Sequence, residues 1–350
     1  MSSPYSTGGG GTQFETRVAA YYFAAVLSEA RGRALPGVYA TAVLTQRAAF
    51  EEPLDDLIIT GLSHDGAVTK LSLQVKSSLR FTENDQEWRA VLGQAWDTFQ
   101  QDSFDAQSHR LGVAVADYHA KADKYYQSVL TWAAHSPSAS DFFKRISRED
   151  FAHKDQRGFV AVIRTILESH SGGGVSDEEI WKFLCVFRIL QFDFKNEEAS
   201  RDVESAIDRI RRILPTVERA KASQIWDRLI VRAGETTITG GGETRISLQS
   251  DLKKTGLPAT SNKTYHSDIE KIDRESRRAM EAIKSDIHGL RLKRNGPYEA
   301  LQDALDTGRF VQIDGEPGSG KSALLRQLAE EAAQNGPIFF LKDMRVHPGG

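Results

Sequence analysis

Cysteine is almost absent from this chain of 350 residues, because Cys185 is its only one. A lone cysteine excludes an intrachain disulfide framework and a zinc site built on several cysteines. It lies in the apolar sequence WKFLCVF, which favours a buried structural thiol over a nucleophile. No basic leader opens the sequence, and no apolar run approaches the roughly 20 residues of a membrane span. The sequence therefore predicts a cytoplasmic protein with no membrane partner.

An excess of charge of one sign is also missing. Lysine and arginine total 45 and aspartate and glutamate 48, which gives a net charge of -3. The composition therefore predicts no overall positive field for nucleic acid, so any contact with DNA must come from a local basic patch. The length predicts two or three domains with cores of ordinary size.

The most specific motif is GEPGSGKS at residues 315–322, which fits the phosphate-binding pattern G-x-x-x-x-G-K-[ST]. The sequence FVQI at 310–313 predicts a strand entering the motif, and helical periodicity from about Ser322 predicts a helix leaving it. Glycines let backbone N–H groups curve around an anion, and a helix N-terminus adds partial positive charge. The motif predicts a site for ATP, or for GTP, formed by Gly315, Gly318, Ser319, Gly320, Lys321 and Ser322. In it Lys321 reaches the β- and γ-phosphates and the Ser322 hydroxyl ligates Mg²⁺.

The position of this motif carries a second expectation. Only a helix and one apolar strand, PIFFL at 337–341, are predicted after it, and no strand ending in an acidic residue follows to help hold Mg²⁺. A complete P-loop domain needs well over about 100 residues. We therefore expect residues 297–350 to be the beginning of a P-loop domain, in a chain that is the N-terminal part of a longer protein. We also expect this fragment to hydrolyse nucleotide poorly.

Residues 13–120 predict a compact α/β domain with the order α-β-β-β-α-β. Apolar positions from Phe14 to Val26 recur at helical spacing. Segments at 38–44, 57–60 and 68–75 predict three strands, with the turn signal HDG between the last two. A helical stretch at 88–99 precedes a fourth predicted strand at 111–116. Around this domain we predict a disordered N-terminus at 1–12, a helical region at 121–265 and a helical connector at 266–296.

Acidic and amide side chains are predicted to meet at one end of this domain. Glu15 lies in the first turn of the opening helix, and Asp55 and Asp56 precede the second strand. Gln74 and Lys76 share one face of the third strand, which the hairpin brings beside an aspartate. One step of strand register exchanges Asp55 for Asp56, so the sequence leaves open which of them faces a metal.

Such oxygen ligands hold a hard cation, Mg²⁺ or Mn²⁺, which acidifies a bound water and stabilises charge on a phosphodiester. A neighbouring lysine orients the water or offsets the negative charge of the phosphate. The pattern D…QxK alone occurs by chance in most long proteins. Its weight here comes from the helix–strand–hairpin order in which it is set.

Three segments carry a resemblance to a known family: GGTQFE at 10–15, PLDDLI at 53–58 and LQVK at 73–76. They resemble the PD-(D/E)XK restriction-endonuclease-like superfamily, with Gln74 in place of the usual acidic residue. They are similar in particular to the DNA endonuclease effectors of CBASS-type bacterial anti-phage systems and to nuclease domains fused to antiviral STAND NTPases. The resemblance covers roughly residues 10–120 and, more loosely, the helical region that follows.

The resemblance implies a restriction-endonuclease-like α/β domain, a helical middle region and the start of a P-loop α/β NTPase. It implies that Asp56 (or Asp55) and Gln74 are metal ligands, that Lys76 is the catalytic lysine and that Glu15 is an auxiliary acidic ligand. The implied partners are double-stranded DNA, a nucleoside triphosphate and, in the longer protein, further copies of the chain, since oligomerisation pairs the nuclease domains.

A second interpretation of the N-terminal domain stays open. Asp55 and Asp56 can serve as turn residues and Lys76 as an exposed strand residue. The domain is then a catalytically inactive interaction or DNA-binding module attached to a P-loop NTPase.

Overall fold

A computed structural model describes residues 9–35, 37–47, 50–63, 66–116, 120–194, 200–258, 266–284, 295–307 and 311–332. The chain divides into two compact units, Met1–Asn262 and Lys263–Gly350. None of the helices in these ranges combines the length and the apolar character required to cross a membrane.

The first unit is built on a six-stranded mixed sheet with the strand order β5-β4-β3-β2-β1-β6. The strands are β1 (Tyr39–Thr45), β2 (Leu57–Leu62), β3 (Val68–Lys76), β4 (His109–Val115), β5 (Phe187–Gln191) and β6 (Gly242–Thr244). The pairs β1–β2, β2–β3 and β1–β6 are antiparallel. The pairs β3–β4 and β4–β5 are parallel, so β3 joins an antiparallel hairpin to a parallel half-sheet.

Two helical layers cover the sheet. The helices are α1 (Gly9–Leu27), α2 (Gln86–Phe99), α3 (Gln127–His135), α4 (Ala139–Ile146), α5 (Lys154–Ser171), α6 (Asp177–Val186), α7 (Arg201–Arg212), α8 (Ala222–Thr239) and α9 (Arg245–Lys254). One apolar core joins α1, α7, α8 and α9 to one face of the sheet. A second core joins the helices α2, α3, α4, α5 and α6 to the other face of the sheet. The first unit is therefore a three-layer mixed α/β fold, and the order predicted for residues 13–120 is the observed one.

Helix α1 lies in the middle of the first core. Every residue from Val18 to Leu27 is buried, so the helix is apolar on all sides rather than on one stripe. It begins at Gly9, which corrects the predicted disorder for residues 9–12; residues 1–8 lie outside the described ranges. The Thr16 hydroxyl donates to the carbonyl of Thr12, four residues earlier in the helix, at 2.7 Å.

The predicted division at residue 120 does not coincide with a boundary between compact units. Strand β5 pairs with β4 and strand β6 pairs with β1, and both come from the region 121–265 predicted as helical. Both strands are short, with five and three residues, and each adjoins a helix directly. Because the adjoining helices α6 and α9 have helical periodicity, the sequence pattern does not reveal strands β5 and β6. The boundary between the two compact units lies at residue 262.

Cys185 lies near the end of α6 and is half-buried, with its thiol donating to the carbonyl of Ala133 at 3.2 Å. Burial raises the pKa of this thiol to about 11. A protonated thiol is a poor nucleophile, so its environment is that of a structural cysteine.

The second unit contains α10 (His266–Glu281), α11 (Asn295–Thr307) and α12 (Lys321–Ala332). A small apolar cluster joins Tyr298 and Leu301 of α11 to Leu324 of α12, with Val311 and Ile313 packed against it. The predicted strand at 310–313 is not formed at 311–313, and Phe310 lies outside the described residues. A strand needs a neighbour for its backbone hydrogen bonds, and the described part of this unit contains no other strand. The predicted strand at 337–341 also lies outside the described ranges.

Candidate metal and nucleotide sites

The first candidate site, here called the Gln74 cluster, comprises Glu15, Gln46, Asp55, Asp56, Gln74 and Lys76. It lies at the carboxyl end of β3, where Gln74 and Lys76 pair in register with Val113 and Val115 of β4. Carboxyl ends of parallel strands are a common position for ligand sites in α/β folds.

The register of the hairpin decides which aspartate contacts β3. Leu57 pairs with Leu73, so Asp56, one residue before β2, lies opposite Gln74. The backbone N–H of Val75 donates to Asp56 Oδ2 at 2.8 Å, which holds this carboxylate against the end of β3. Side chains alternate along a strand, so Asp56, Gln74 and Lys76 lie on one face, whereas Asp55 is displaced toward the other. Asp55 is buried nearby.

Gln74 is the most informative member of the cluster. Its side chain is only 6% exposed, and its Oε1 atom is buried without a hydrogen-bond donor among the described residues. Leaving a buried amide oxygen unpaired costs about 1–3 kcal/mol, and such groups are rare in native proteins. An atom of this kind is explained when a ligand that accepts its lone pairs occupies the position next to it.

Glu15 and Gln46 form the second side of the cluster. Gln46 Nε2 donates to Glu15 Oε1 at 2.7 Å, and the Gln46 backbone N–H donates to the carbonyl of Asp56 at 3.2 Å. Gln46 therefore connects the two acidic residues. Its backbone is left-handed, with φ of 50°, which is unfavourable for a residue other than glycine and is concentrated at functional sites. Gln46 was absent from the sequence prediction, because a glutamine after a strand carries no local signal.

Burial dominates the electrostatics of the cluster. It raises the pKa of Asp56 from 3.8 to about 7, against the Val75 hydrogen bond and Lys76, which lower it; the charges of Glu15 and Asp55 raise it further. Burial also raises the pKa of Glu15, although the hydrogen bond from Gln46 and the charge of Lys76 lower it. The carboxylates therefore lie close enough to repel one another, and a nearby positive charge stabilises their ionised forms.

These residues fit a hard divalent cation of the Mg²⁺ class. A carboxylate whose ionisation is opposed by burial, a second acid and an unpaired amide oxygen supply the oxygen ligands that such ions prefer. Within the described ranges, no three His, Cys, Asp or Glu side chains converge on one point. A cation bound here would therefore need oxygen ligands of another kind as well, and the amide oxygen of Gln74 is one.

The second candidate site, the phosphate loop, is the motif at residues 315–322. Gly318 and Gly320 have φ angles of 83° and 85°, which residues with a side chain rarely adopt. A Cβ on Gly315 would lie 3.1 Å from Ser319 Oγ. Helix α12 begins at Lys321, directly after the loop, as the motif predicted.

Lys321 closes the loop on itself. Its Nζ donates to the carbonyl of Gly315 at 2.6 Å and to that of Glu316 at 3.0 Å. The loop itself is largely exposed to solvent. A phosphate group bound here would replace the two carbonyls as the hydrogen-bond acceptor of Lys321, and the N-terminus of α12 would lie on its other side.

Comparisons with known proteins give a coarse structural similarity. No protein-family model and no curated protein matches the chain. Among solved structures, the Cap4 SAVED/CARF-domain containing receptor of Acinetobacter baumannii with the cyclic trinucleotide 3'3'3'-cAAA has a TM-score of 0.39 at 9% identity. The corresponding receptor of Moraxella osloensis has a TM-score of 0.39 at 13% identity. Each alignment covers 74% of this chain and 49% of the receptor, so the chain spans about half the length of these structures.

Proposed function

We propose that the first unit is a metal-dependent DNA endonuclease and that the second binds a nucleoside triphosphate. In this proposal the chain is the effector part of a bacterial anti-phage defence protein that acts in the cytoplasm. The observation that carries the nuclease is the buried, unpaired Gln74 Oε1. Gln74 lies opposite Asp56 in the register of the hairpin and on the same face of β3 as Lys76. The defence role rests on the sequence resemblance of residues 10–120.

Five of the six residues of the cluster have a distinct task in the proposed phosphodiester hydrolysis. Asp56, Gln74 and Glu15 would hold the cation, which supplies an activated water and offsets charge on the phosphate. The Lys76 ammonium lies within electrostatic range of Asp56 and Glu15. It donates hydrogen bonds to a non-bridging phosphate oxygen or to the attacking water as negative charge develops. Gln46 keeps the Glu15 carboxylate aimed at the cluster.

Gln74 limits the strength of cation binding in this proposal, because it stands where the superfamily has an acidic residue. An amide oxygen contributes a lone pair without negative charge, so cation affinity depends on Asp56 and Glu15. Gln74→Glu restores the acidic residue of the superfamily and should tighten Mn²⁺ binding. Gln74→Met keeps the length of the side chain, removes the oxygen and should weaken it.

The test is cation binding and plasmid cleavage by the whole chain. Mn²⁺ binding is titrated calorimetrically for the two Gln74 variants, with Gln86→Glu as control, since it makes the same charge change at an exposed helix start. Plasmid cleavage is followed with Mg²⁺, with Mn²⁺ and with EDTA. Metal-dependent cutting that is lost in Gln74→Met supports the nuclease. Absence of cutting, even when two copies are joined by a fused dimerising segment, favours the inactive interaction or DNA-binding module instead.

The phosphate loop completes the proposal. Its backbone conformation and Lys321 are suited to phosphate groups, and Ser322 would supply a hydroxyl ligand to Mg²⁺ when nucleotide is bound. As in STAND-type NTPases, which the architecture resembles, nucleotide binding would control assembly and so bring nuclease units together on double-stranded DNA. Binding of ATP and GTP to the whole chain, compared by fluorescence titration, tests this part and identifies the base.

A further inference from the structure

Two arginines lie side by side at the amino ends of the parallel strands, away from the Gln74 cluster. Strand register pairs Gly112 of β4 with Arg188 of β5, and Arg110 precedes Gly112 by two residues on the same face of the sheet. Strand geometry places the Cα atoms of Arg110 and Arg188 about 8 Å apart, within reach of two long side chains. Gln74 pairs with Val113 and therefore lies on the opposite face and nearer the opposite end of the strands.

Gly112 keeps the space between the two arginines free of a side chain. A Cβ at this position would lie 2.5 Å from the carbonyl oxygen of Arg188 and 3.2 Å from its Cβ. Any other residue at position 112 would therefore displace β5. The close approach of the strands and the glycine together bring the two arginine side chains to one surface.

The hydrogen bonds of these arginines leave most of their donors unused. Within the described residues each guanidinium donates through Nη1 alone and only to backbone carbonyls: Arg110 to Ala106, Gln107 and His109 at 2.7–3.3 Å, and Arg188 to Cys185 and Phe187 at 2.7–2.9 Å. The Nε atom of Arg110 is buried without an acceptor. Neither arginine forms an ion pair with a carboxylate in the described part of the chain.

Such an arrangement is electrostatically unfavourable. Burial and the neighbouring charge of Arg110 lower the pKa of Arg188; only the Cys185 thiol opposes this effect, and no carboxylate does. A single arginine is enough to cap the carbonyl groups at the end of α6, which Arg188 does. Two partly buried cations without a counter-charge are stabilised by an anion that both can contact.

We propose that Arg110 and Arg188 form a binding site for a phosphate group, independent of the Gln74 cluster and of the phosphate loop. A guanidinium presents paired N–H donors that match the oxygens of a phosphate, and two of them on adjacent strands contact one group from two sides. The group belongs either to the backbone of bound nucleic acid or to a small phosphorylated molecule. Both supply the same oxygens.

Binding of inorganic phosphate tests the proposal. The whole chain carries Lys321→Ala to weaken the phosphate loop and is kept in EDTA to empty the Gln74 cluster of cations. Arg188→Gln should weaken phosphate binding, measured calorimetrically, by at least about tenfold, the worth of one charge-assisted pair. The control is Arg148→Gln, because Arg148 is exposed and already paired with Asp150. Equal phosphate affinity in Arg188→Gln and the control would overturn the proposal.

A second variant and a second ligand complete the design. Arg110→Gln should weaken phosphate binding in the same way, and it serves as the readout if Arg188→Gln does not fold. A short DNA duplex in EDTA then identifies the source of the phosphate. If Arg188→Gln lowers duplex affinity and reduces the salt dependence by about one phosphate contact, the site binds nucleic acid. If duplex binding is unchanged while phosphate binding is lost, the ligand is a small phosphorylated molecule.

Discussion

The phosphate loop is eight consecutive residues, whereas the Gln74 cluster takes its members from the first helix and from the ends of three strands. The loop is exposed and its conformation follows from two glycines and a helix start. The cluster is buried or half-buried, and its geometry depends on strand register and on a layer of helices. A local site therefore keeps its form with few contacts, while an assembled site needs the whole unit around it.

This difference has an energetic side. The charged groups of the loop meet water and the backbone carbonyls of their own turn. In the cluster, burial works against the ionisation of Asp56 and leaves Gln74 Oε1 without a partner. The cluster therefore gains most from binding a cation, and its properties should respond to pH and to single substitutions more strongly than those of the loop.

The largest expected effect separates the two sites by their lysines. Lys76→Ala should reduce plasmid cleavage about 100- to 1,000-fold, the usual loss when one donor to developing charge is removed. Affinity for nucleotide should not change. The control is Lys70→Ala on the same strand, whose amine pairs with Glu52 at 2.5 Å. Equal loss of cleavage in both variants would show that the lysine acts on the stability of the sheet.

The reciprocal substitution acts on the second unit. Lys321→Ala should weaken nucleotide binding about 10- to 100-fold, because a hydrogen bond to a charged group contributes about 1.5–3 kcal/mol. Mn²⁺ binding at the Gln74 cluster should be unaffected. Fluorescence titration of nucleotide and calorimetry of Mn²⁺ measure the two effects, with the exposed Lys284→Ala as control. A change in Mn²⁺ affinity in Lys321→Ala would contradict the expectation that the phosphate loop and the Gln74 cluster bind their ligands independently.

The pH dependence of cation binding should set the cluster apart. A cation binds the ionised carboxylate, and the pKa of Asp56 is about 7, so Mn²⁺ affinity should rise with pH between about 6 and 8. An ordinary aspartate is fully ionised across this range. Calorimetric titration at several pH values checks the slope. In Asp56→Asn, binding should be weak at every pH.

The same pKa predicts an opposite effect on stability without metal. The folded-state pKa of Asp56 lies above the unfolded value, so folding binds a proton and stability falls as pH rises from about 4 to 7. Asp56→Asn in EDTA should therefore melt a few degrees higher than the parent chain at pH 8. At pH 5 the difference should be clearly smaller, because only the part of the loss between about pH 4 and pH 5 has then taken place. Differential scanning calorimetry at both pH values measures the melting temperatures. An Asp56→Asn variant that melts below the parent chain at pH 8 would contradict the raised pKa of Asp56.

The smallest expected effect concerns Gln46. Gln46→Ala removes a hydrogen bond to Glu15 and should lower cleavage about three- to tenfold, with a matching loss of Mn²⁺ affinity. Gln46→Glu should be worse, because it places a like charge beside Glu15. Gln101→Ala is the control, since Gln101 donates to a backbone carbonyl on the exposed surface. Unchanged Mn²⁺ affinity in Gln46→Ala would remove Gln46 from the site.

Local signals in the sequence accounted for much of this architecture. Periodicity identified α1 and the strands of the hairpin, because their neighbours in space are also neighbours in sequence. The motif placed Lys321 at the start of its helix. The positions of Asp56, Gln74 and Lys76 followed from alternation, but the choice of Asp56 over Asp55 required the observed pairing of Leu57 with Leu73.

Other features depend on contacts that are distant in sequence. Strands β5 and β6 are too short to show periodicity, and each is defined by its partner in the sheet. Gln46 becomes part of the cluster only through its bonds to Glu15 and Asp56. The strand predicted before the phosphate loop had a suitable apolar sequence, yet without a paired neighbour in the described part of its unit it has no ladder.

The pairing of β1 with β6 has a consequence for folding during synthesis on the ribosome. Val43 pairs with Glu243, although every residue of the Gln74 cluster has been synthesised by residue 76. At about 5–20 residues per second, a ribosome needs roughly 10 to 30 s to pass from Lys76 to Thr244. During that interval the sheet has an open edge at β1 and α1 has no α8 to pack on. A nascent chain thus completes the surroundings of the Gln74 cluster only after its middle region has emerged, so the cluster is fully enclosed only when the unit is whole.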